Sequence, residues 1–398
     1  MRVGIIADDL TGAADTGVQF ARAGYRTAVA FRGSPIPPAG DLDAAALDTD
    51  SRALPSGSAA KRVLEAAGAV RDARIVYKKL DSTLRGPLAA ELAAALKATG
   101  RDLALVAPAF PATGRTTARG VQLVRGVPVH ETEAARDPRT PVVESHLPTL
   151  LAAAFPSVVS LGVEDLADGE HVRRVLSNAP CVVADAERDE DLDALARAVP
   201  DPRRVLWAGS AGLALALGNL YPGPRAGAAP SRPAPAGTVL VVVGSLSGVA
   251  REQLRSLEEH GCTTVPVATG GRSVSDGVGV ARAALAEGSS CAALHSAEER
   301  RSSDAGAVVA ALAEVAAGLA GDGSFDALVL TGGETAVSVA RRLGAWGILL
   351  EGEVETGMPV GTLIGPSPYR VVTKAGAFGE PDTLRRVVEK LLENGEVC

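Results

Sequence analysis

Short apolar runs alternate with alanine-rich amphipathic segments along almost the whole chain. In the first half the apolar runs occupy residues 3–7, 27–31, 45–49, 74–80, 103–108, 158–162, 180–185 and 205–209. Later runs occupy residues 238–244, 263–268, 292–296 and 327–333. Segments between them, such as residues 88–100, carry apolar side chains at helical spacing. Because buried parallel strands are continuously apolar and are joined by helices, this alternation predicts parallel sheets with helices on both faces.

One proline-rich segment interrupts the alternation. Residues 222–237 have the sequence PGPRAGAAPSRPAPAG and show no apolar periodicity, which favours an extended connector. A chain of 398 residues is also long for a single domain. We therefore predict an α/β protein of two domains, 1–222 and 238–398, joined by a linker over 223–237. Each domain is expected to be a largely parallel sheet flanked by helices, with the active site in the interdomain cleft.

Composition and charge narrow the class of protein. Apolar residues make up 46 % of the chain and charged residues 22 %, as in ordinary globular proteins. The net charge is −7, and no cluster of Lys and Arg interleaved with aromatic residues occurs. This balance argues against a nucleic-acid-binding surface. No apolar run is long enough to cross a membrane, so we expect no membrane partner.

Cysteine usage favours a reducing compartment. The four cysteines are Cys181, Cys262, Cys291 and Cys398. None belongs to a CxxC pair, and their spacing suits neither a zinc site nor a disulfide framework. The chain also begins with a strand-like segment rather than a signal peptide. We therefore predict a cytoplasmic protein.

Two adjacent aspartates, Asp8 and Asp9, follow the first apolar run. In open parallel sheets ligands bind beyond the carboxyl ends of the strands, so this junction is a candidate site. A helix cap accounts for one carboxylate. The second carboxylate could serve as a general base, a cation ligand or an acceptor for substrate hydroxyls. This stretch alone leaves capping and function equally open.

Two further junctions in the first domain collect hydrogen-bond donors and charges. Residues 78–87, KKLDSTLRGP, contribute Lys79, Asp81, Ser82 and Arg85, which favour an anion site over a solvated turn. Residues 107–117 end in another donor cluster. Its candidate residues are Thr113, Gly114, Arg115 and Thr116. The pattern leaves a polyol or anion clamp and a mobile surface loop as equal alternatives.

The second domain has small-residue loops where strands give way to helices. Residues 244–248, GSLSG, follow the clean strand VLVVV, and residues 331–335, TGGET, repeat the arrangement. Backbone N–H groups at such a helix start, together with the helix dipole, form a phosphate cradle. A third loop, residues 374–379, follows the strand-like YRVVT. Two cradles in one domain indicate a nucleotide.

Taken in order, these motifs resemble the four-carbon acid sugar kinases. The resemblance covers nearly the whole chain and rests on ADDLTGAADTG, KKLDSTLRGP, PAFPATGRTT followed by RGVQLVRGVPVHETEAARDP, GSLSGVAREQ, LTGGETA and KAGAFGE. It implies phosphorylation of acids such as threonate, erythronate or 3-oxo-tetronates by ATP with Mg²⁺. It also implies an N-terminal substrate domain and a C-terminal nucleotide domain.

The resemblance assigns roles to individual residues. It implies substrate binding by Asp8, Asp9, Lys79, Asp81, Ser82, Arg85 and the 113–116 loop, and ATP binding by Ser245, Gly332, Gly333, Glu334, Thr335 and Gly376. We expect Asp9 to act as the base and Asp8 to orient the substrate, both as catalytic residues. Arg85, with Lys79 or Arg115, is expected to pair with the acid carboxylate. One departure is visible, because Ala377 stands where the family commonly has a second glycine.

Two other classes of function compete with a kinase. An NAD-dependent oxidoreductase needs GxGxxG spacing after a strand, which GSLSGVA lacks. A two-domain sensor of a small acid or a nucleotide needs a cleft but no catalytic carboxylate pair. The expected partners are therefore a small sugar acid and ATP. The sequence leaves open the particular acid, the hydroxyl that is phosphorylated, the metal ligands and whether the protein forms a homo-oligomer.

Overall fold

The computed structural model describes residues 1–36, 41–226, 235–268, 271–296 and 305–393. The chain divides into two compact units, Met1–Ala228 and Ala229–Cys398. Residues 227–234 of the predicted linker lie outside the described residues. No described helix is long and apolar enough to cross a membrane.

The N-terminal unit is built on a parallel sheet. Its strands are β1 (Val3–Ala7), β2 (Thr27–Ala30), β3 (Ala44–Asp48), β4 (Ile75–Lys79), β5 (Leu103–Ala107), β9 (Val159–Leu161), β10 (Cys181–Ala184) and β11 (Val205–Gly209). They pair in the order β2-β3-β1-β4-β11-β5-β10-β9, every pair parallel. Strand β1 lies between β3 and β4, and the chain builds the sheet outward in both directions from it. The loops that follow β1, β3 and β4 therefore lie side by side. This is the edge of a parallel sheet where ligands bind.

Helices cover this sheet. They are α1 (Leu10–Arg22), α2 (Ser56–Val70), α3 (Leu88–Thr99), α4 (Leu147–Leu151), α5 (Gly169–Asn178), α6 (Asp189–Ala198) and α7 (Ala211–Leu220). The residues of β1, β3, β4 and β5 are all buried. Val63, Leu92 and Leu147 form part of the core on the side of the sheet that faces α2 and α3. Burial of both faces explains why these strands are continuously apolar.

A small antiparallel sheet interrupts the N-terminal unit, and the sequence pattern did not predict it. It consists of β6 (Arg115–Ala118), β7 (Val121–Val124) and β8 (Val127–Pro128). The candidate residues 113–116 therefore occupy a 3₁₀ turn and the start of a strand. Gly120 and Gly126 take left-handed backbone at its two turns, which favours glycine.

The C-terminal unit has a second, mostly parallel sheet. Its strands are β12 (Val239–Val243), β13 (Thr263–Val267), β14 (Cys291–Ser296), β15 (Ala327–Thr331), β16 (Gly347–Glu355), β17 (Met358–Ile364) and β18 (Arg370–Lys374). The order β13-β14-β12-β15-β18 is parallel, and β17 and β16 extend it as an antiparallel hairpin. The predicted strands are present in both units, with ends within two residues. The β16–β17 hairpin was not predicted.

The helices of the C-terminal unit are α8 (Gly248–Glu259), α9 (Gly271–Ala286), α10 (Ala305–Gly321), α11 (Gly333–Arg342) and α12 (Thr383–Leu392). Val241, Leu257 and Leu384 join β12, α8 and α12 in one core. Cys262 and Cys291 form a disulfide, so the expectation that the cysteine spacing suits no disulfide was wrong for this pair. Pairing of neighbouring strands β13 and β14 brings these two residues together, which spacing alone did not reveal.

Candidate functional site

The two adjacent aspartates lie where β1 passes into α1. Asp9 caps α1: its Oδ1 accepts the N–H of Gly12 at 2.8 Å, and its Oδ2 accepts the Thr11 hydroxyl at 2.7 Å. A cap of this kind contributes about 1 kcal/mol to stability. Asp8 does not cap the helix and is only 4 % exposed. The second carboxylate therefore requires another partner.

That partner is Arg52, which the sequence analysis missed. Its Nε and Nη2 donate to the two carboxylate oxygens of Asp8 at 2.6 and 3.0 Å, and its Nη1 donates to Asp9 at 2.7 Å. Burial by itself raises the pKa of Asp8, but the charges of Arg52, Lys78 and Lys79 outweigh it and lower that pKa below the ordinary value. Asp8 is therefore ionised at neutral pH.

Lys79, the last residue of β4, supplies a buried cation. It is 5 % exposed, and among the described residues its ammonium forms neither a hydrogen bond nor an ion pair. A Cβ built at Gly12 would lie 3.0 Å from the Lys79 Nζ and 2.7 Å from the Asp9 Oδ1. The ammonium therefore lies beside the first turn of α1, close to the paired aspartates. The charge of Lys79 lowers the pKa of both Asp8 and Asp81, so these carboxylates offset part of it while its N–H donors stay available to a ligand.

The turn after β4 holds Asp81 and Arg85 together. Asp81 Oδ2 accepts the Arg85 Nε at 2.5 Å, and Oδ1 accepts Nη2 at 3.3 Å. Burial raises the pKa of Asp81, but Arg85 and Arg52 overcome it and hold that pKa well below the usual range. Gly86 has a φ of 93°, and a Cβ there would lie 3.2 Å from the carbonyl oxygen of Arg52. Glycine at this position therefore lets the turn lie against the Arg52 backbone.

The 113–116 segment reaches the same edge of the sheet. Arg115 Nη1 donates to the carbonyl of Thr113 at 3.1 Å, and the charge of Asp81 acts on Arg115. Gln122 on β7 links this segment to the turn after β4, because it accepts the Thr117 hydroxyl at 2.6 Å and donates to the carbonyl of Ser82 at 3.0 Å. Gly114, with a φ of 72°, makes the turn. The small sheet therefore attaches the segment to the site.

Asp48 is a further carboxylate at this edge that the sequence analysis did not single out. It ends β3, pairs with Ala7 in the sheet, and is 5 % exposed. Burial raises the pKa of Asp48 to about 7, against the lowering effect of the Asp50 N–H, and the charge of Asp9 adds to the rise. Asp48 is thus the carboxyl group of this cluster that titrates near neutral pH.

In the C-terminal unit the predicted nucleotide loops follow neighbouring strands. The Ser247 hydroxyl caps α8 through the Ala250 N–H at 3.2 Å and donates to the carbonyl of Gly376 at 2.9 Å. A Cβ at Gly244 would overlap the hydroxyl of Thr335, and one at Gly376 would overlap that of Ser245. The loops after β12, β15 and β18 therefore pack so closely that glycine is required at both positions.

The start of α11 has no side-chain cap. Its N-cap is Gly332, which has a φ of 95° and no side chain to accept them. The first turn carries Gly333, Glu334 and Thr335, of which Glu334 is exposed and Thr335 is buried. Backbone N–H groups at a helix start, together with the helix dipole, attract phosphate oxygens. This end of the helix can therefore receive the phosphate chain of a nucleotide.

Lys374 stabilises the loop after β18, residues 374–379, by hydrogen bonds from its side chain. Its ammonium is buried and donates to the carbonyls of Ala375 at 2.9 Å and Phe378 at 2.8 Å. Gln253 on α8 donates to the same Phe378 carbonyl at 3.1 Å. Ala377, which replaces a common family glycine, is exposed and does not have left-handed backbone. Its methyl group therefore causes no backbone strain at this position.

Each predicted site residue lies in one of these two clusters. The N-terminal cluster contains Asp8, Asp9, Lys79, Asp81, Ser82, Arg85 and the 113–116 segment. The C-terminal cluster contains Ser245, Gly332, Gly333, Glu334, Thr335 and Gly376. Arg52 and Asp48 were missed, although the polar stretch 48–52, DTDSR, follows a strand in the same way as the other junctions. Among the described residues no three His, Cys, Asp or Glu side chains are placed to hold a metal ion.

Two family models match the chain. A sugar-binding N-terminal domain matches residues 3–217, and a nucleotide-binding C-terminal domain matches residues 240–384. Together they cover most of the sequence.

Solved structures show the same fold. A protein from Salmonella typhimurium LT2 has a TM-score of 0.81 and 24 % sequence identity, covering 97 % of this chain and 98 % of its own. A protein from Bordetella bronchiseptica has 38 % identity and a TM-score of 0.50, with both chains covered completely. It was described as a domain of unknown function with bound citrate in a domain-swapped dimer.

Curated relatives carry specific names. A D-threonate kinase of Bordetella bronchiseptica is 41 % identical, with 98 % of both chains covered. A D-erythronate kinase of Heliobacterium modesticaldum is 32 % identical, covering 98 % of this chain and 96 % of its own. A 3-oxo-tetronate kinase of Methylobacterium radiotolerans is 31 % identical, covering 98 % and 99 %. The chain therefore belongs to the four-carbon acid sugar kinase family, as the motifs predicted, and is a phosphotransferase that acts on a hydroxyl of a sugar acid.

Proposed function

We propose that the protein transfers the terminal phosphoryl group of ATP to a hydroxyl of a four-carbon acid of the threonate, erythronate or 3-oxo-tetronate type. In this proposal residues 1–222 bind the acid and residues 238–398 bind the nucleotide, joined by the linker 223–237. The descriptions of the two matching family models and the names of the curated relatives support this division.

The observation that carries the proposal is the ammonium of Lys79, a residue that is only 5 % exposed and whose Nζ donates no hydrogen bond within the described residues. Such a donor can form a charged hydrogen bond with an anionic ligand. Asp9 lies beside the Lys79 Nζ and also binds Arg52, so the two cations flank one carboxylate. We assign the acid carboxylate to Lys79. The citrate in the Bordetella bronchiseptica structure supports affinity of this fold for carboxylates.

Arg85 has a different part in the proposal from the one that the sequence suggested. Its Nε and Nη2 are bound to Asp81, so a substrate carboxylate would have to compete with that pair. Arg85 therefore orients Asp81, whose carboxylate accepts sugar hydroxyls. Ser82 and the 113–116 segment, Thr113, Gly114, Arg115 and Thr116, form the remaining wall around the sugar.

Asp9 is the proposed acceptor for the proton of the attacked hydroxyl, and Asp8 orients Arg52. The Asp9 side chain is 21 % exposed, against 5 % for Asp8, so a ligand reaches Asp9 more readily. Phosphoryl transfer has a loose transition state and depends mainly on positioning and charge neutralisation. For this reaction the carboxylate of Asp9 needs only to align the attacking hydroxyl and to accept its proton late in the transfer.

The nucleotide part of the proposal rests on the glycine start of α11, where no side chain occupies the helix N-terminus. The N–H groups of Gly333, Glu334 and Thr335 bind phosphate oxygens, and Ser245 and Gly376 bind the neighbouring part of ATP. Mg²⁺ usually keeps several water ligands and binds through substrate phosphates, so the absence of a carboxylate cluster among the described residues is compatible with it. When bound, Mg²⁺ neutralises charge on the phosphates.

Measurement of the ADP formed from ATP tests this function. The purified chain is given ATP and Mg²⁺ with each stereoisomer of threonate, erythronate and the 3-oxo-tetronates, and the product is identified by phosphorus NMR. We expect one acid to give a phosphomonoester with stoichiometric ADP. Calorimetric binding of acid and ATP without turnover for any of these acids would instead support the non-catalytic sensor.

The proposal also includes a cytoplasmic location and a homo-oligomer. The oligomer has support from the domain-swapped dimer of the Bordetella bronchiseptica protein. Light scattering of the full chain measures the oligomeric state directly, and a monomer at micromolar concentration would remove this part of the proposal.

A further inference from the structure

A fully buried ion pair lies directly beneath the N-terminal cluster. Lys78 and Glu91 are 0 % and 3 % exposed, and the Lys78 Nζ lies 2.9 Å from the Glu91 Oε2. Lys78 also donates to the backbone carbonyl of Lys79 at 2.7 Å. The ammonium of Lys78 therefore fixes the end of β4 from which Lys79 projects.

The other oxygen of Glu91 continues the chain of contacts. Glu91 Oε1 accepts the hydroxyl of Ser51 at 2.5 Å. The Ser51 and Thr49 hydroxyl oxygens lie 2.7 Å apart, and the Thr49 hydroxyl donates to the carbonyl of Ala7 at 2.7 Å. Ser51 and Thr49 are buried as well. We call these four residues, Lys78, Glu91, Ser51 and Thr49, the buried relay.

Both ends of the buried relay meet residues of the proposed acid site. Ser51 precedes Arg52, and the N–H groups of Ser51 and Arg52 donate to the carbonyl of Asp8 at 2.9 and 3.3 Å. Ala7 precedes Asp8, and Lys79 follows Lys78. The relay therefore joins the ends of β1 and β4 to the loop that carries Arg52.

Stability alone does not account for such a pair. Desolvation of two buried charges often costs as much as their attraction returns, and apolar replacements are frequently as stable. The bonds from Lys78 and Ser51 to Glu91, and from Thr49 to the Ala7 carbonyl, instead fix the geometry of the segments that they join. We propose that the buried relay is a positioning device, which holds Lys79 and the Asp8–Arg52–Asp9 group in the arrangement that the acid site requires. This inference rests on the proposed function, because it assumes that Lys79 faces the acid.

Ser51→Ala tests the relay with little change in volume. We expect the KM for the acid to rise about tenfold while the KM for ATP stays within twofold, since the link between Glu91 and the Arg52 loop is lost. Thr99→Val is the matched control, because the Thr99 hydroxyl donates to the Ala95 carbonyl at the far end of the same helix, α3. An unchanged KM for the acid in Ser51→Ala would overturn the proposal.

A second variant separates positioning from folding. Lys78→Met combined with Glu91→Met replaces the ion pair by apolar side chains of similar length, which preserves the urea midpoint if packing is retained. We expect this double variant to have a raised KM for the acid, as Ser51→Ala does, while its stability stays close to that of the wild type. A double variant with wild-type KM for the acid would show that the relay only supports the fold, and would overturn the proposal.

Lys79→Met distinguishes failure of the relay from failure of the proposed function. If Lys79→Met raises the KM for the acid and Ser51→Ala does not, the acid site stands and the relay proposal falls. If Lys79→Met leaves that KM unchanged, the acid site is elsewhere, and both proposals fall together.

Discussion

Arg52 binds both carboxylate oxygens of Asp8, through Nε at 2.6 Å and Nη2 at 3.0 Å. Its remaining terminal nitrogen binds Asp9, so one guanidinium neutralises part of the charge of two adjacent aspartates. Asp9 alone caps α1. The second aspartate is therefore explained by a cation from another loop and not by the helix.

Arg52→Met should destabilise the protein by about 3–5 kcal/mol at neutral pH, because removal of one partner leaves the buried Asp8 charge uncompensated. In the wild type the lowered pKa of Asp8 contributes stability above its unfolded pKa. In the variant burial raises that pKa, so the loss should be larger at pH 7 than at pH 4. Urea unfolding at both pH values measures the difference. An equal loss at pH 4 and pH 7 would contradict the role assigned to the pair.

Asp9→Asn should reduce kcat by about 10²–10⁴-fold, because the amide cannot accept the proton of the attacked hydroxyl. The amide oxygen can still cap α1, so the variant should fold, with a loss of stability from the broken Arg52–Asp9 pair. Asp168→Asn is the matched control, since Asp168 caps α5 through the N–H groups of Glu170 and His171. Steady-state kinetics of both variants compare the two positions. Normal turnover in a folded Asp9→Asn protein would rule out the base role.

Asp48→Asn should change how stability depends on pH. The folded pKa of Asp48 is about 7 and its ordinary value is 3.8, so the folded state holds a proton that the unfolded chain releases between these pH values. Asp48 therefore lowers stability as the pH rises from about 4 to about 7, with Asp8, Asp9 and Asp50 as the charges that face it. Asn retains the oxygen that accepts the Asp50 N–H. Urea midpoints of the variant should fall less over this range, and parallel curves would contradict the prediction.

Lys374→Met should raise the KM for ATP about tenfold and leave the KM for the acid within twofold. The variant loses the hydrogen bonds that hold the 375–378 loop, each of which typically contributes about 0.5–1.5 kcal/mol, since burial lowers the pKa of Lys374 to about 7. Lys390→Met is the control, because Lys390 donates to a backbone carbonyl in the same unit but lies on α12. Initial-rate kinetics with both substrates varied separate the two constants. A rise confined to the KM for the acid would contradict this account.

The repeating strand and helix pattern predicted the two parallel sheets well, because strands buried on both faces are continuously apolar. It failed for β6–β8 and for the β16–β17 hairpin. Polar residues interrupt the apolar runs of these strands: Gln122, which is buried, in β7, and Glu351 and Thr362 in the mostly buried β16 and β17. Antiparallel strands interrupted in this way give a weaker signal in the sequence.

The candidate site was predictable where one short motif contains both the charged residues and the hydrogen-bond donors of the site, as in residues 78–87. Arg52 was missed because its partners Asp8 and Asp9 lie more than forty positions earlier, and only the pairing of β1 with β3 brings them together. Asp48 was missed because its pKa depends on burial, which the residue type does not reveal. The sequence suggested that Arg85 binds the substrate carboxylate, whereas the structure pairs it with Asp81. This pair depends on the turn at Leu84, where φ is 59°, and the residue types alone do not reveal that turn.

The central claim is that Lys79 binds the carboxylate of a four-carbon acid. The direct measurement is kcat/KM for the accepted acid and for the matching tetritol, which lacks the carboxylate, in the wild type and in Lys79→Met. We predict that the wild type prefers the acid by at least about 100-fold and that Lys79→Met reduces this preference by about tenfold or more, in line with one charged hydrogen bond. The variant should fold with a modest loss of stability at neutral pH, because the charge of Lys79 lowers the pKa of Asp8 and of Asp81. An unchanged preference for the acid in folded Lys79→Met would contradict the claim.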